Sequence, residues 1–111
     1  MFDKSQLMRG TLEGCILKII SLKETYGYEI IEQLDQHGFK GIKEGTLYPL
    51  LVRLNRKELI KSEMRPSSLG PKRKYYQITK DGLDMLQSFE DSFYDIYNTV
   101  LHILKEDGHE E

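Results

Sequence analysis

The hydrophobic period changes twice along this chain, and those changes restrict the fold more than any other feature. Up to Leu54 the apolar residues recur at steps of three and four, as on amphipathic helices. Between Leu59 and Ile78 they alternate, and after Thr79 the helical spacing returns. The expected order is therefore helix, helix, helix, hairpin, long helix.

Residues 7–21 place Met8, Leu12, Cys15, Ile16, Ile19 and Ile20 on one stripe of a first helix. A short polar break, 22–25, leads to a second helix over 26–37, with Ile30, Ile31 and Leu34 inward and Gly38 as its left-handed stop. After a loop at 39–42, a third helix starts between Lys43 and Thr46 and carries Leu47, Leu50, Leu51 and Leu54 on one face. Gly45, Pro49, Val52 and Arg56 fall opposite, with Tyr48 and Arg53 at the edges. Pro49 lacks a backbone N–H and is tolerated best in a first turn, so an early helix start implies a local kink.

Residues 59–64 and 74–78 read as two strands separated by a long tip, because the intervening 66–71 is dense in Pro, Ser and Gly. Thr79 is a good N-cap. From there Leu83, Leu86, Phe89, Phe93, Ile96, Val100 and Leu104 trace a coiled-coil-like seam along roughly six turns. The fold class is mainly α with a small β-hairpin. It comprises a winged helix-turn-helix over 1–79 and a long C-terminal dimerisation helix over 80–111, packed with the N-terminal helix as one structural unit. That last helix has more apolar surface than a three-helix domain covers, which points to a second copy of the chain.

The 111 residues carry Lys+Arg 16 and Asp+Glu 18, a net charge of −2 that by itself disfavours nucleic acid. The distribution reverses that inference. Residues 40–80 hold eleven basic side chains against three acidic ones, a local net of +8, whereas 83–111 hold one against eight, a net of −7. The positive block coincides with the third helix and the hairpin, the two elements that a winged helix presents to DNA, and phosphate-contacting Lys and Arg gain affinity by releasing condensed counterions. Lys43, Thr46, Tyr48, Pro49, Arg53 and Arg56 on the third helix, with Lys72, Arg73 and Lys74 at the hairpin tip, are the candidate DNA-binding residues. Tyr48 reads equally as a half-buried packing residue and Thr46 as a helix cap.

Several motifs sit here in a specific order and spacing: Tyr26-Gly27-Tyr28-Glu29-Ile30, Gly45-Thr46-Leu47-Tyr48-Pro49-Leu50-Leu51 with Arg53-Leu54, Leu59-Ile60, and Gly70-Pro71-Lys72-Arg73-Lys74-Tyr75-Tyr76 followed by Thr79 and Gly82. They closely resemble the PadR family of bacterial transcriptional regulators, from about Leu7 to Gly82, and the short C-terminal region is similar to the subgroup whose single long helix completes a homodimer. The resemblance implies a cytoplasmic dimeric repressor on a palindromic duplex operator, with the third helix in the major groove and the wing beside it. It also implies control of detoxification or transport genes in response to small aromatic or lipophilic effectors. Some related members hold such ligands between tryptophans of the dimer helices, but this sequence has no Trp. Phe89, Phe93 and Tyr97, with Tyr94 beside them, are the candidate substitutes, and the same aromatic stripe also reads as plain dimer core.

An enzyme is not expected. Cys15 lies on a buried stripe, His37, His102 and His109 are scattered, and neither a phosphate loop nor metal-ligand spacing occurs, so no cofactor or metal is assigned. One cysteine, no secretory apolar run near Met1 and no membrane-length apolar stretch lead to the expectation of a cytoplasmic protein that does not enter the membrane. The alternative is an interaction adaptor in which a winged helix has lost DNA binding.

Overall fold

A computed structural model describes residues 1–108, so His109, Glu110 and Glu111 of the expected dimerisation segment lie outside the described residues. Gly10 and Thr11 divide the first predicted helix in two, α1 (Lys4–Arg9) and α2 (Leu12–Leu22). The Asp3 carboxylate accepts the Ser5 N–H at the start of α1, and the Thr11 hydroxyl donates to the Met8 carbonyl at its end (3.0 Å). Leu12, Ile16, Leu17 and Ile20 then bury one side of α2.

The expected polar break contains a strand. β1 (Thr25–Tyr26) leads directly into α3 (Gly27–His37), which stops at Gly38 with φ 116°. The amides of Gly38 and Phe39 close that end on the carbonyls of Asp35 and Leu34, satisfying acceptors that the last helical turn leaves open. After a six-residue connection, α4 (Glu44–Arg56) runs without interruption through Pro49, its sixth residue. The proline removes the donor that the Gly45 carbonyl would otherwise receive, on a side that faces solvent.

β2 (Ile60–Ser67) and β3 (Gly70–Ile78) form the hairpin, and β1 adds to β3 in an antiparallel sheet of order β1-β3-β2. The wing therefore belongs to a three-stranded sheet. The expected long tip is corrected too: Ser67 pairs with Gly70, leaving Ser68 and Leu69 as the turn. Pro66 fits because the register shifts between Arg65 and Ser67, and because β2 is an edge strand on which a missing N–H costs nothing if it faces outward.

α5 (Lys80–Leu104) is capped by Thr79, whose hydroxyl accepts from the Gly82 N–H (3.0 Å) and donates to the Glu58 carbonyl (2.7 Å). A Cβ at Gly82 would collide with the Leu59 carbonyl. The start of α5 is thus fixed against the turn that follows α4. The core gathers Ile16 and Ile20 from α2, Ile30 and Leu34 from α3, Leu47, Leu51 and Leu54 from α4, and Ile60 and Tyr76 from the sheet, with Leu86 of α5 at its border. Beyond Phe89, which packs over Gly14 of α2, α5 leaves the body. The molecule measures 67 × 32 × 20 Å with a radius of gyration of 17.1 Å. A globule of this length would have a radius of gyration of about 13 Å.

Candidate nucleic-acid interface

The inward leucines of α4 fix which side of the helix is left over. With Leu47, Leu51 and Leu54 buried, Lys43, Thr46, Tyr48, Pro49, Arg53 and Arg56 all emerge on the exposed side, together with Gly45 and Val52. Lys43 occupies the N-cap position, so Thr46 sits two residues inside α4 and is not its cap. Nothing lies within 4 Å of a Cβ built on Gly45, which leaves the first turn open to close approach.

Tyr48 is partly packed and partly open. It is 41% exposed, yet its hydroxyl end lies over Gly27 at the start of α3, where any side chain would collide with the ring. Burial, and secondarily the nearby Tyr48, push the Tyr76 phenol above its usual range. Gly27 therefore makes room for the Tyr48 ring, a task that the motif contained without revealing it.

Arg53 is engaged. Its Nε and Nη2 donate to Glu13 Oε2 of α2 at 2.9 and 2.6 Å, tying the back of α4 to the helical body. A surface pair of this kind is worth at most about 1 kcal/mol and weakens with salt.

The wing residues Lys72, Arg73 and Lys74 are all exposed, but they lie inside β3 and not at the turn. Strand alternation puts Lys72 and Lys74 on the face that carries Tyr76, and Arg73 on the opposite face with Tyr75 and Gln77. On that outer face the Arg73 guanidinium lies 4.4 Å over the Tyr26 ring, Tyr26 meets Tyr75 edge-on at 5.3 Å, and Arg65 lies 5.0 Å over Tyr75. Arg65 also donates both guanidinium nitrogens to the Glu24 carboxylate, Gln77 donates its amide to the same group, and Glu63 accepts from Arg65 at 3.2 Å. The hydrogen bonds from Arg65, then that from Gln77, hold the Glu24 carboxyl below the ordinary carboxylate range, and the bonds to Glu24, then that to Glu63, raise the Arg65 pKa. Neither Glu24 nor Glu13 carries a local sequence signal, since their partners lie 40 to 53 residues away.

The candidate aromatic residues are brought together on α5. Phe93 stacks against both Phe89 (6.2 Å) and Tyr97 (5.9 Å). These three residues, with Ile96, Val100, Met8 and Phe39, line an open groove of about 1010 Å³ between α1, the end of α3 and α5, with Lys4 and Lys40 also at its walls. Cys15 is partly buried, and desolvation raises its thiol pKa away from the reactive thiolate form. Among the described residues no His, Cys, Asp and Glu group could hold a metal ion, and no helix is long and apolar enough to cross a membrane.

Known proteins share this arrangement. The family of PadR-like transcriptional regulators matches residues 16–88, a span running from α2 through the whole sheet into α5. A crystal structure of a PadR-like transcriptional regulator from Bacillus cereus is similar with a TM-score of 0.83 and 48% identity, covering 92% of this chain and 99% of that one. A Streptococcus transcriptional regulator gives 0.81 and 42% over 90% of this chain and 98% of its own. A PadR-family regulator from Eggerthella lenta gives 0.84 and 33% over 92% and 88%. An uncharacterized protein of Lysinibacillus sphaericus is 43% identical over 82 residues, 71% of this chain and 74% of that protein. With a family match across most of its length and close structural relatives along nearly all of it, this chain belongs to the PadR-like family of transcriptional regulators.

Proposed function

We propose that the chain is a homodimeric, sequence-specific DNA-binding repressor that acts in the cytoplasm and performs no catalysis. The observation that carries this reading is the exposed face of α4, flanked by a wing with free lysines, within a segment of net charge +8. In this reading Lys43, Thr46, Tyr48, Pro49 and Arg56 enter the major groove, and Lys72, Arg73 and Lys74 contact the flanking backbone. Arg53 reaches phosphate only by leaving Glu13. Residues 1–79 form the DNA-binding part and 80–111 the dimerisation helix. Two-fold pairing through α5 sets the two copies of α4 on a palindromic operator whose half-sites lie about ten base pairs, or a multiple of one turn, apart.

The groove beside Phe89, Phe93 and Tyr97 fits a small aromatic or lipophilic effector, and an inducer there would release operators of detoxification or transport genes. Its signal has a short route: α5 is clamped at Thr79 and Gly82 to the turn after α4, so a shift of the dimer helix moves the recognition helix with it.

Fluorescence anisotropy of labelled duplex DNA across a salt series tests the reading. A repressor loses affinity steeply as salt rises, because each phosphate contact releases counterion. Absence of duplex binding above background at low salt would favour the adaptor.

A further inference from the structure

The wing carries its basic residues on a ribbon that the body barely holds. β1 pairs with β3 only at Tyr75 and Tyr76, so from Met64 and Lys74 outward β2 and β3 are a two-stranded hairpin, which is marginally stable by itself. Arg65 and Arg73 sit directly opposite one another in that stretch, and like charges across an antiparallel pair repel. Both are drawn aside: Arg73 stacks on Tyr26 of β1, and Arg65 is bound by Glu24 in the segment before β1. Glu24 also takes the Gln77 amide at the base of β3, so one carboxylate bridges both wing strands to the helical body.

We propose that Glu24 is a positioning residue for DNA binding, a brace that sets the angle of the wing and so places Lys72 and Lys74 on the phosphate backbone. This rests on the DNA-binding reading above but adds to it a residue that touches no DNA and bears the wrong charge for it. The sign of the effect is therefore diagnostic. If Glu24 were only a surface acid beside a basic block, its removal would tighten DNA binding by lessening repulsion. As a brace, its removal weakens binding.

The experiment compares the full chain, Glu24→Ala, the pair Lys72→Ala with Lys74→Ala, and the triple variant on one operator duplex across a salt series. Folding of each is checked by circular dichroism. Glu24→Ala is expected to weaken binding about tenfold and to lower the salt slope by one to two contacts, roughly matching the lysine pair. In the triple variant the losses should not add, since the brace acts through the lysines. Tighter or unchanged binding by Glu24→Ala overturns the proposal, as does a loss fully additive to that of the lysine pair, which would mark a general destabilisation. Failure of the unaltered chain to bind any duplex would instead overturn the DNA-binding reading itself.

Discussion

On α4, Leu47, Leu51 and Leu54 are 0–1% exposed, whereas Phe93, Ile96 and Val100 on α5, at the same steps of three and four, are 39–63% exposed. Both helices are amphipathic, and both place charge opposite the apolar stripe. The difference lies in where the apolar face finds cover. Neighbouring elements of the same chain, α3 and β2 among them, cover the leucines of α4, and its remaining face is open to solvent. The second half of α5 runs past the core, its apolar stripe facing only an open groove walled by α1 and Phe39, and its acidic flanks, Asp91 and Asp95, face solvent. An amphipathic stripe thus says that something will be buried, but not whether the cover comes from the same chain.

The largest effect expected from breaking this contrast is on α5. Phe93→Asp places a charge in the middle of the exposed stripe. Size-exclusion chromatography should then show monomers, and operator affinity should fall by about two orders of magnitude or more, because each half binds without its linked partner. An unaltered dimer would contradict the assignment of the seam. On α4 the mirror-image change, Leu51→Ala, should destabilise the fold by about 2–5 kcal/mol in denaturant titration while leaving the association state of the folded protein unchanged. A smaller effect is expected at the junction of the two helices: Thr79→Ala removes the cap of α5 and its tie to Glu58, costing about 1 kcal/mol. Smallest is Arg73→Ala, which should weaken binding to all duplex sequences alike and lower the salt slope by about one. Dependence on one operator base pair would instead make Arg73 a base reader.

The helices were legible because each buried stripe repeats over several turns, and the inward and outward faces of α4 follow directly from that period. Three features were not legible for identifiable reasons. β1 has two residues, too few to display an alternation, and it exists because Tyr75 and Tyr76 of β3 offer it an edge. The Pro66–Pro71 segment reads as a long tip by composition, yet the bulge at Pro66 and the open edge of β2 let the strands continue almost to the turn. The break at Gly10 and Thr11 lies inside an unbroken apolar spacing, which hides it. Within the candidate site the exposed residues of α4 and the basic run of the wing were readable. Their partners Glu13 and Glu24 were not, since pairing across forty residues is a property of the finished fold. The groove on α5 was readable only as an aromatic stripe, because its opposite wall comes from α1 and Phe39.

In the proposed repressor, two copies of α4, held by paired α5 helices, read one duplex. Hydroxyl-radical footprinting of the purified chain on the DNA upstream of its own gene tests this most directly. Two protected half-sites related by a two-fold axis are expected, centred about ten base pairs or a whole number of turns apart, with flanking protection from the wings. A single unrepeated patch, or no protection at low salt, would contradict it.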